Sequence, residues 1–290
     1  MAPGISVIVP VFNEADSVPG TVASVRSVMQ TTDLDFEIIV VDDGCTDDSC
    51  KDLPVTIGAD SRVSLLRHEH NRGYGAALKT RIENARFDTV LIIDADQTYP
   101  LERIPDLLAH VAQYDMVVGE RTGPAAYIPW IRKPAKAILR WLAETLSGKR
   151  IPDINSGLRL FSRDQGLKAM DLLPDGFSFT TTLTLLWLHQ RRSIRYVPIE
   201  YTRRAGKSKI RPFIDTVNFF ILVVRTTLWF NPMKVFLPAG LIVMGLGLVL
   251  YFFRVFSGPA FLVTTVVTFT TGIQLIIFGA LADLIVKRLR

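Results

Sequence analysis

Cysteine is scarce in this chain, and acid is nearly missing from its last third. Cys45 and Cys50 are the only two thiols among 290 residues, too few for a disulfide framework, and no second Cys/His cluster completes a zinc site. They are expected to be a pair of reduced thiols in a polar, Asp-rich stretch. Residues 201–290 carry 11 Lys and Arg against 2 acids, a net of +9, while residues 1–200 carry 22 basic and 26 acidic residues, a net of −4. A basic excess confined to the more apolar part points to a membrane surface and away from nucleic acid. No basic stretch precedes the strand-like start, so no secretory signal is expected. There is no Walker motif and no Gly-x-Ser-x-Gly elbow, and Gly73-Tyr74-Gly75 lacks the third glycine of a dinucleotide fingerprint.

What the sequence does have is apolar residues in concentrated runs. Mean hydropathy is +0.28, and two uncharged stretches, Val235–Phe253 and Val255–Ala282, account for much of it. About 20 helical residues cross the ~30 Å hydrocarbon core of a bilayer, so each is long enough to span. Ser257-Gly258-Pro259 supplies a turn between them. Arg225 and Lys234 precede the pair, Lys287, Arg288 and Arg290 follow it, and Arg254 alone lies between. Positive charge stays on the cytoplasmic side. The reading is a multi-pass hairpin in the cytoplasmic membrane, with both termini and the large N-terminal part in the cytoplasm. Residues 210–234 read as a juxtamembrane amphipathic helix. The segment 130–146, with Arg132, Lys136 and Arg140 on one face, reads either as an interfacial helix or as one packed on the domain.

Residues 1–122 alternate strand-like and helix-like segments. Ile5–Val9, Ile38–Val41, Val63–Leu66, Val90–Ile93 and Met116–Val118 are short aliphatic runs. Helical patterns fall near Val18–Met29, Gly75–Ala85 and Ile104–Ala112. This alternation predicts an α/β fold, a mostly parallel, Rossmann-like sheet with helices on both faces. Ligands of such sheets sit at the carboxyl ends of the strands. Polar loops follow the strands there: Pro10-Val-Phe-Asn-Glu14, Asp42-Asp43-Gly44, Asp94-Ala-Asp96-Gln-Thr-Tyr-Pro100 and Gly119-Glu-Arg121. Asp94 and Asp96 are the sharpest signal. Two carboxylates in one crevice repel unless a cation neutralises them, and a hard ion such as Mg²⁺ or Mn²⁺ suits oxygen ligands beside phosphates. His68-x-His70, His110 and His189 read as structural.

These pieces, together with Asn71-Arg-Gly73, Asn155-Ser-Gly-Leu-Arg159 and Arg203-Arg-Ala-Gly-Lys-Ser-Lys209, span nearly all of residues 1–210. In that order they resemble family-two glycosyltransferases of the GT-A fold. More narrowly, they resemble the polyprenyl-phosphate sugar synthases, the dolichol-phosphate mannose synthase group. The resemblance implies a GT-A nucleotide-sugar domain over 1–209, the juxtamembrane helix over 210–234, and a hairpin with a basic tail over 235–290. It implies that Pro10, Phe12, Glu14, Val41, Asp42, Asp43 and Ala95 form the nucleotide-sugar site with Asp94, Asp96 and Arg121. Asp94 and Asp96 would hold Mg²⁺ or Mn²⁺ on the diphosphate. Gln97 is the candidate third ligand, one residue earlier than the glutamine such enzymes use, whose place Thr98 takes. Where many relatives carry a carboxylate, the helix over 179–190 opens with Thr180-Thr181-Thr182.

The residues also bear on the acceptor. No general base stands out, and a phosphate monoester, largely dianionic at neutral pH, attacks without losing a proton. The expected reaction is inverting transfer of a hexosyl group, mannose favoured and glucose possible, from a GDP- or UDP-linked sugar to polyprenyl or dolichyl phosphate. Arg132, Arg159, Arg203, Arg204, Lys207, Ser208 and Lys209 are the lipid-phosphate candidates, and Asp96, Arg121 and Arg203 the catalytic ones. The alternatives are transfer to a lipid or polysaccharide hydroxyl, and a non-catalytic membrane scaffold. Oligomeric state stays open, with Gly240, Gly245 and Gly247 permitting close helix packing.

Overall fold

The computed structural model describes residues 4–51, 53, 60–123, 143–145, 148–176, 178–202, 220–221, 223–225, 227–257 and 260–288, and their side chains except those of 253–257 and 260–262. The chain divides into two compact units. One comprises Met1–Arg140 with Arg150–Thr216, the other Trp141–Lys149 with Val217–Arg290.

The first unit is built on seven strands: β1 (Gly4–Val11), β2 (Asp35–Asp42), β3 (Val63–Arg67), β4 (Thr89–Ile92), β5 (Met116–Thr122), β6 (Arg159–Ser162) and β7 (Ile194–Glu200). Their order in the sheet is β3-β2-β1-β4-β6-β5-β7. Strands β1 to β4 run parallel, β6 is antiparallel to both its neighbours, and β7 pairs parallel with β5. The five aliphatic runs are strands, as expected. Four of them are buried on both faces, with Ser6 the polar residue in β1, while the edge strand β3 exposes Ser64. Ile5, Val7 and Val9 pack in one core with Val22, Val25 and Met29, which lie on α1 (Val18–Gln30). The intervening Ile8, on the opposite side of the pleat, is equally buried. Pro19 in the first turn fixes where α1 begins. Further helices are α2 (Tyr74–Ile82), α3 (Ile104–Leu108), α4 (Arg163–Ala169) and α5 (Phe179–His189). Leu183, Leu185, Leu186 and Trp187 are fully buried in α5, and Trp187 meets Phe161 of β6 edge-on at 6.1 Å.

The sheet corrects one expectation. Gly119-Glu120-Arg121 is not a loop after the fifth strand. It lies within β5, which runs on to Thr122 because β7 supplies a partner, Gly119 to Val197 and Arg121 to Ile199. The register forces Gly119, since a Cβ there would stand 2.7 Å from Ile199 Cδ1.

In the second unit, α6 (Met233–Ser257) and α7 (Ala260–Arg288) form an antiparallel hairpin. Residues 233–252 and 263–288 have mean hydropathies of 2.3 and 1.9, and only 11% of each is buried. A soluble core helix of such composition would be covered. These two expose Ile242, Val263, Phe278 and Leu284, as lipid-facing helices do. Arg254, expected in the turn, falls within α6. Glycines set the helix contact. A Cβ at Gly240 would lie 2.8 Å from Gly272 O, and one at Gly279 2.5 Å from Phe236 Cβ. Gly247 faces Phe269, whereas Gly245 is exposed and has nothing within 4 Å. Asp283 pairs with Lys287 one turn on, at 2.6 Å. The described residues of 220–230 are helical, with Phe220, Ile221 and Trp229 exposed.

Candidate active site

Two acidic strand ends flank β1. Strand β4 ends at Ile92, and Asp94-Ala95-Asp96 follows at the sheet's carboxyl edge. The loop is tied to α1 by two bonds. Thr21 Oγ1 donates to Ala95 O at 3.0 Å, and Gln97 Nε2 donates to Ser17 O at 3.0 Å. Asp96 Oδ1 accepts from Thr98 Oγ1 at 2.6 Å. Asp94 Oδ1 accepts from Tyr74 Oη at 2.9 Å. Burial first, then the charge of Asp96, lifts the Asp94 carboxyl to about 6, against the pull of Tyr74 and of Arg121 and Arg159. Gly157 completes the cradle: a Cβ there would fall 2.0 Å from Asp94 Oδ2, so any side chain at this position would displace the carboxylate. Two half-buried carboxylates, one with its carboxyl lifted by desolvation and by its neighbour's charge, make a donor set suited to a hard divalent cation.

The Asn155–Arg159 segment is held from beneath. Arg159 is completely buried. Its guanidinium donates to Ser156 O at 2.6 and 2.9 Å, Thr180 O at 2.9 Å and Thr184 Oγ1 at 3.1 Å. Burial lowers its pKa. This corrects one expectation: Arg159 has no surface to offer a lipid phosphate, and instead binds the loop that carries Gly157 to helix α5. Gly157 N also donates to Tyr99 Oη at 2.7 Å. Thr181 of the Thr180-Thr181-Thr182 turn bonds Asn155.

Arg121, on β5, forms a two-point pair with Asp153, Nε to Oδ2 at 2.7 Å and Nη2 to Oδ1 at 2.8 Å. Its guanidinium carbon stands 5.4 Å from the Tyr201 ring centre, and Tyr201 meets Tyr99 edge-on at 5.3 Å. Burial alone would raise the Asp153 carboxyl, but hydrogen bonds and charge from Arg121 hold it below the ordinary carboxylate value.

The second acidic end follows β2. Asp42 Oδ1 accepts from Cys45 N at 2.8 Å, and Asp42 Oδ2 pairs with Arg67 Nε at 3.1 Å. Asp43 accepts from Arg72 N at 3.0 Å and Gly73 N at 2.8 Å, and pairs with His68 Nδ1 at 2.8 Å. Gly44 (φ 70°) makes this turn possible: a Cβ would lie 2.4 Å from the His70 carbonyl carbon. The turn borders a cleft of about 640 Å³ whose walls include Phe12, Asp42, Cys45, Arg67 and His70.

The expected nucleotide residues are therefore separated by the fold. Phe12 and Asp42 line the cleft. Pro10 and Val41 are register partners buried within β1 and β2. Glu14 is tied through its backbone N–H to Ser49 Oγ at 2.7 Å, and Asp43 braces the loop of Arg72 and Gly73. Gln97, the expected third metal ligand, turns its amide onto α1, against Gly20 and Ser17 O. Arg132, Arg203, Arg204, Lys207, Ser208 and Lys209 lie outside the described residues, as does most of 130–146. Tyr74, Tyr99, Asp153 and Gly157 were not anticipated. Tyr74 and Gly157 belong to the Gly-Tyr-Gly and Asn-Ser-Gly motifs and Tyr99 to the Asp94–Pro100 loop, while Asp153 lies in none of them; only the fold brings Tyr74 and Gly157 to Asp94.

A sheet of this order with a cradled carboxylate pair at its carboxyl edge defines a GT-A sugar-transfer domain, here followed by a membrane hairpin. Residues 6–164 match the family model described as glycosyl transferase family 2, and residues 231–287 match the GtrB C-terminal hairpin. The first match covers more than half the chain, which therefore belongs to glycosyl transferase family 2 and is a membrane-bound glycosyltransferase. It is 27% identical over 298 residues to the undecaprenyl-phosphate 4-deoxy-4-formamido-L-arabinose transferase of Enterobacter sp. (strain 638), covering 97% of this chain and 88% of that one. It is 28% identical over 221 residues to the low-salt glycan biosynthesis hexosyltransferase Agl6 of Haloferax volcanii, covering 74% of this chain and 52% of the relative. Among solved structures, glucosyl-3-phosphoglycerate synthase from Mycobacterium tuberculosis with Mn²⁺, UDP-glucose and phosphoglyceric acid superposes with a TM-score of 0.61. The two share 20% identity over 78% of this chain and 80% of that one, a likeness of fold.

Proposed function

We propose that this enzyme transfers a hexosyl unit from a nucleotide sugar to a polyprenyl phosphate at the cytoplasmic face of the membrane, with inversion at the anomeric carbon. The supporting observation is that the likeness to an undecaprenyl-phosphate sugar transferase runs from end to end, through the sugar-transfer domain and the hairpin alike. Mannose from a GDP donor stands ahead of glucose from a UDP donor on the resemblance of the motifs.

Each group has a chemical task. Phe12 and Asp42 meet the base in the cleft beside β2. Asp94 and Asp96 hold a divalent ion, Mg²⁺ or Mn²⁺, which when bound supplies positive charge for the departing diphosphate. Tyr74 holds the Asp94 carboxylate by its hydroxyl, and Gly157 leaves it room. Arg121, itself fixed by Asp153, adds a positive charge at that edge. The lipid phosphate attacks as a dianion and needs no base. Arg132, Arg203, Arg204, Lys207, Ser208 and Lys209 are proposed to orient it by charge-assisted bonds. Domain limits of 1–209, 210–234 and 235–290 are proposed with this division of labour.

The test is a transfer assay on membranes holding the full chain, with Mg²⁺ or Mn²⁺, polyprenyl phosphate and labelled GDP- and UDP-sugars, pentose donors included. Label entering an acid-labile lipid from one donor is the expected result and names the sugar. Label in an acid-resistant glycoside would replace the phosphate acceptor with a hydroxyl. Arg203→Ala should raise the lipid-phosphate concentration needed for half-maximal rate about tenfold or more, the loss of one charge-assisted contact, with nucleotide binding unchanged. An unchanged lipid dependence would remove Arg203 from the acceptor site.

A further inference from the structure

The two thiols of this chain are not scattered. Gly44 lets the chain reverse after β2, and the turn brings Cys45 back onto the Asp42 carboxylate, to which its N–H donates at 2.8 Å. The following turn returns Cys50 to the same place. Among the described residues, Asp42, Cys45 and Cys50 form the one group whose ligand atoms, a carboxylate oxygen and two sulfurs, all lie within 4.8 Å of one another. Cys50 and Asp42 are 2% and 6% exposed, Cys45 is half-buried, and all three border the 640 Å³ cleft. We propose that Asp42, Cys45 and Cys50 form a second cation site, selective for a thiophilic divalent ion such as Zn²⁺ or Cd²⁺, whose occupation closes the nucleotide cleft.

The donor set argues for this ion class. Mg²⁺ and Mn²⁺ prefer oxygen, which Asp94 and Asp96 supply, whereas sulfur favours zinc and cadmium. Tetrahedral zinc has arms of ~2.0–2.3 Å, so its ligands stand roughly 3.3–3.8 Å apart, a closure of at most about 1.5 Å from separations that are all within 4.8 Å. Three protein ligands leave a fourth position open towards the cleft, the arrangement of an exchangeable site and not of a closed structural one. Charge balances as well. Each thiol releases its proton to solvent on binding, and two thiolates plus one carboxylate around a dication leave one negative charge, beside Arg67 at 3.1 Å from Asp42. In the absence of the ion, burial keeps both thiols protonated, Cys45 raised to about 11 and Cys50 to about 12, so they are poor nucleophiles at neutral pH.

Cation binding stands independently of the proposed function; its consequence rests on that reading, because Asp42 cannot hold both an ion and a nucleotide base. With only two cysteines in the chain, thiol chemistry reports on this site alone. The experiment uses the full chain in detergent with excess Mg²⁺, adds Zn²⁺, and follows alkylation of Cys45 together with binding of UDP and GDP. One equivalent of Zn²⁺ should slow alkylation at least tenfold and weaken nucleoside diphosphate binding at least tenfold. In Cys45→Ser, stoichiometric zinc uptake and the zinc effect on nucleoside diphosphate binding should both vanish. Cys45 is half-buried, so this variant remains informative even where Cys50→Ser fails to fold. Zinc uptake that leaves alkylation unchanged, or that is equal in Cys45→Ser, would place the ion elsewhere and overturn the site. Full thiol protection with unchanged nucleotide binding would overturn the competition and remove Asp42 from the base site. Failure of UDP and GDP to bind with or without zinc would overturn the nucleotide reading itself, while thiol protection still decides the cation site.

Discussion

The acidic pairs after β2 and after β4 look alike in sequence and are held in opposite ways. Asp43 accepts two backbone N–H groups and pairs with His68, while Asp42 accepts one N–H and pairs with Arg67. Those negative charges are answered by the protein's own donors. Asp94, half-buried, accepts one hydroxyl among the described residues and faces the charge of Asp96. Its carboxyl is lifted to about 6 in consequence. A carboxylate satisfied by backbone donors is architecture. One left facing another charge is a site that calls for a cation. Asp43 thus serves the frame, Asp42 also borders the cleft, and the proposed function gives the pair after β4 the reaction's charge balance.

The largest expected effect falls on the β4 pair. Asp96→Ala should lower transfer by on the order of a thousandfold, as loss of several kcal/mol of charge stabilisation requires, with the fold and membrane association kept. Turnover near that of the unaltered enzyme would break the contrast between the pairs. Next comes the anchor beneath it. Arg159→Met removes the donors to Ser156 O, Thr180 O and Thr184 Oγ1, leaving buried acceptors unmet, and should cost about 3 kcal/mol or more, read by denaturant unfolding of the enzyme in detergent. An unchanged midpoint would mean that water or an external cation replaces the guanidinium. A somewhat smaller loss, about 2–3 kcal/mol from two orphaned N–H groups, is expected for Asp43→Ala. If that variant instead kept its unfolding midpoint and lost nucleotide affinity, Asp43 would belong to the site and not to the frame.

Much of this was readable before the fold was known. The five aliphatic runs, the strand-end placement of Asp94 and Asp96, and the apolar pair of C-terminal helices each follow from local pattern. Strands β6 and β7 were missed for local reasons. Strand β6 is four residues long and opens with Arg159, whose charge disguises a core position. Strand β7 carries Pro198, tolerable because it is an edge strand, and a proline argues against a strand when read alone. The supports of Asp94 come from far along the chain, Tyr74 20 residues before it and Gly157 later still. No spacing rule reaches that distance. The thiol pair reads as two reduced cysteines because no second Cys/His cluster in the sequence completes a zinc site. Asp42 joins them only when Gly44 adopts its left-handed turn.

The smallest effect, on pH, tests the comparison most directly, because two half-buried acids shift in opposite senses. Asp94 titrates near 6 when folded and near ~3.9 when unfolded, so the folded chain binds the extra proton between those values. Without divalent metal, stability should therefore rise as pH falls from 7 towards 5, by about 1.4 kcal/mol per unit at most and about 1–3 kcal/mol in all. Asp153 is depressed by Arg121. Its contribution is intact above the unfolded value of ~3.9 and is lost only as pH drops through its lower folded value. Metal-free enzyme should thus gain stability down to about pH 5 and lose it below about pH 4. Asp94→Asn should flatten the first limb and leave the second. Mg²⁺ or Mn²⁺ should flatten the first limb as well, since a bound cation favours the ionised carboxylate. A first limb that persists in Asp94→Asn would assign the titration to another group and remove the physical basis for distinguishing the two acidic pairs.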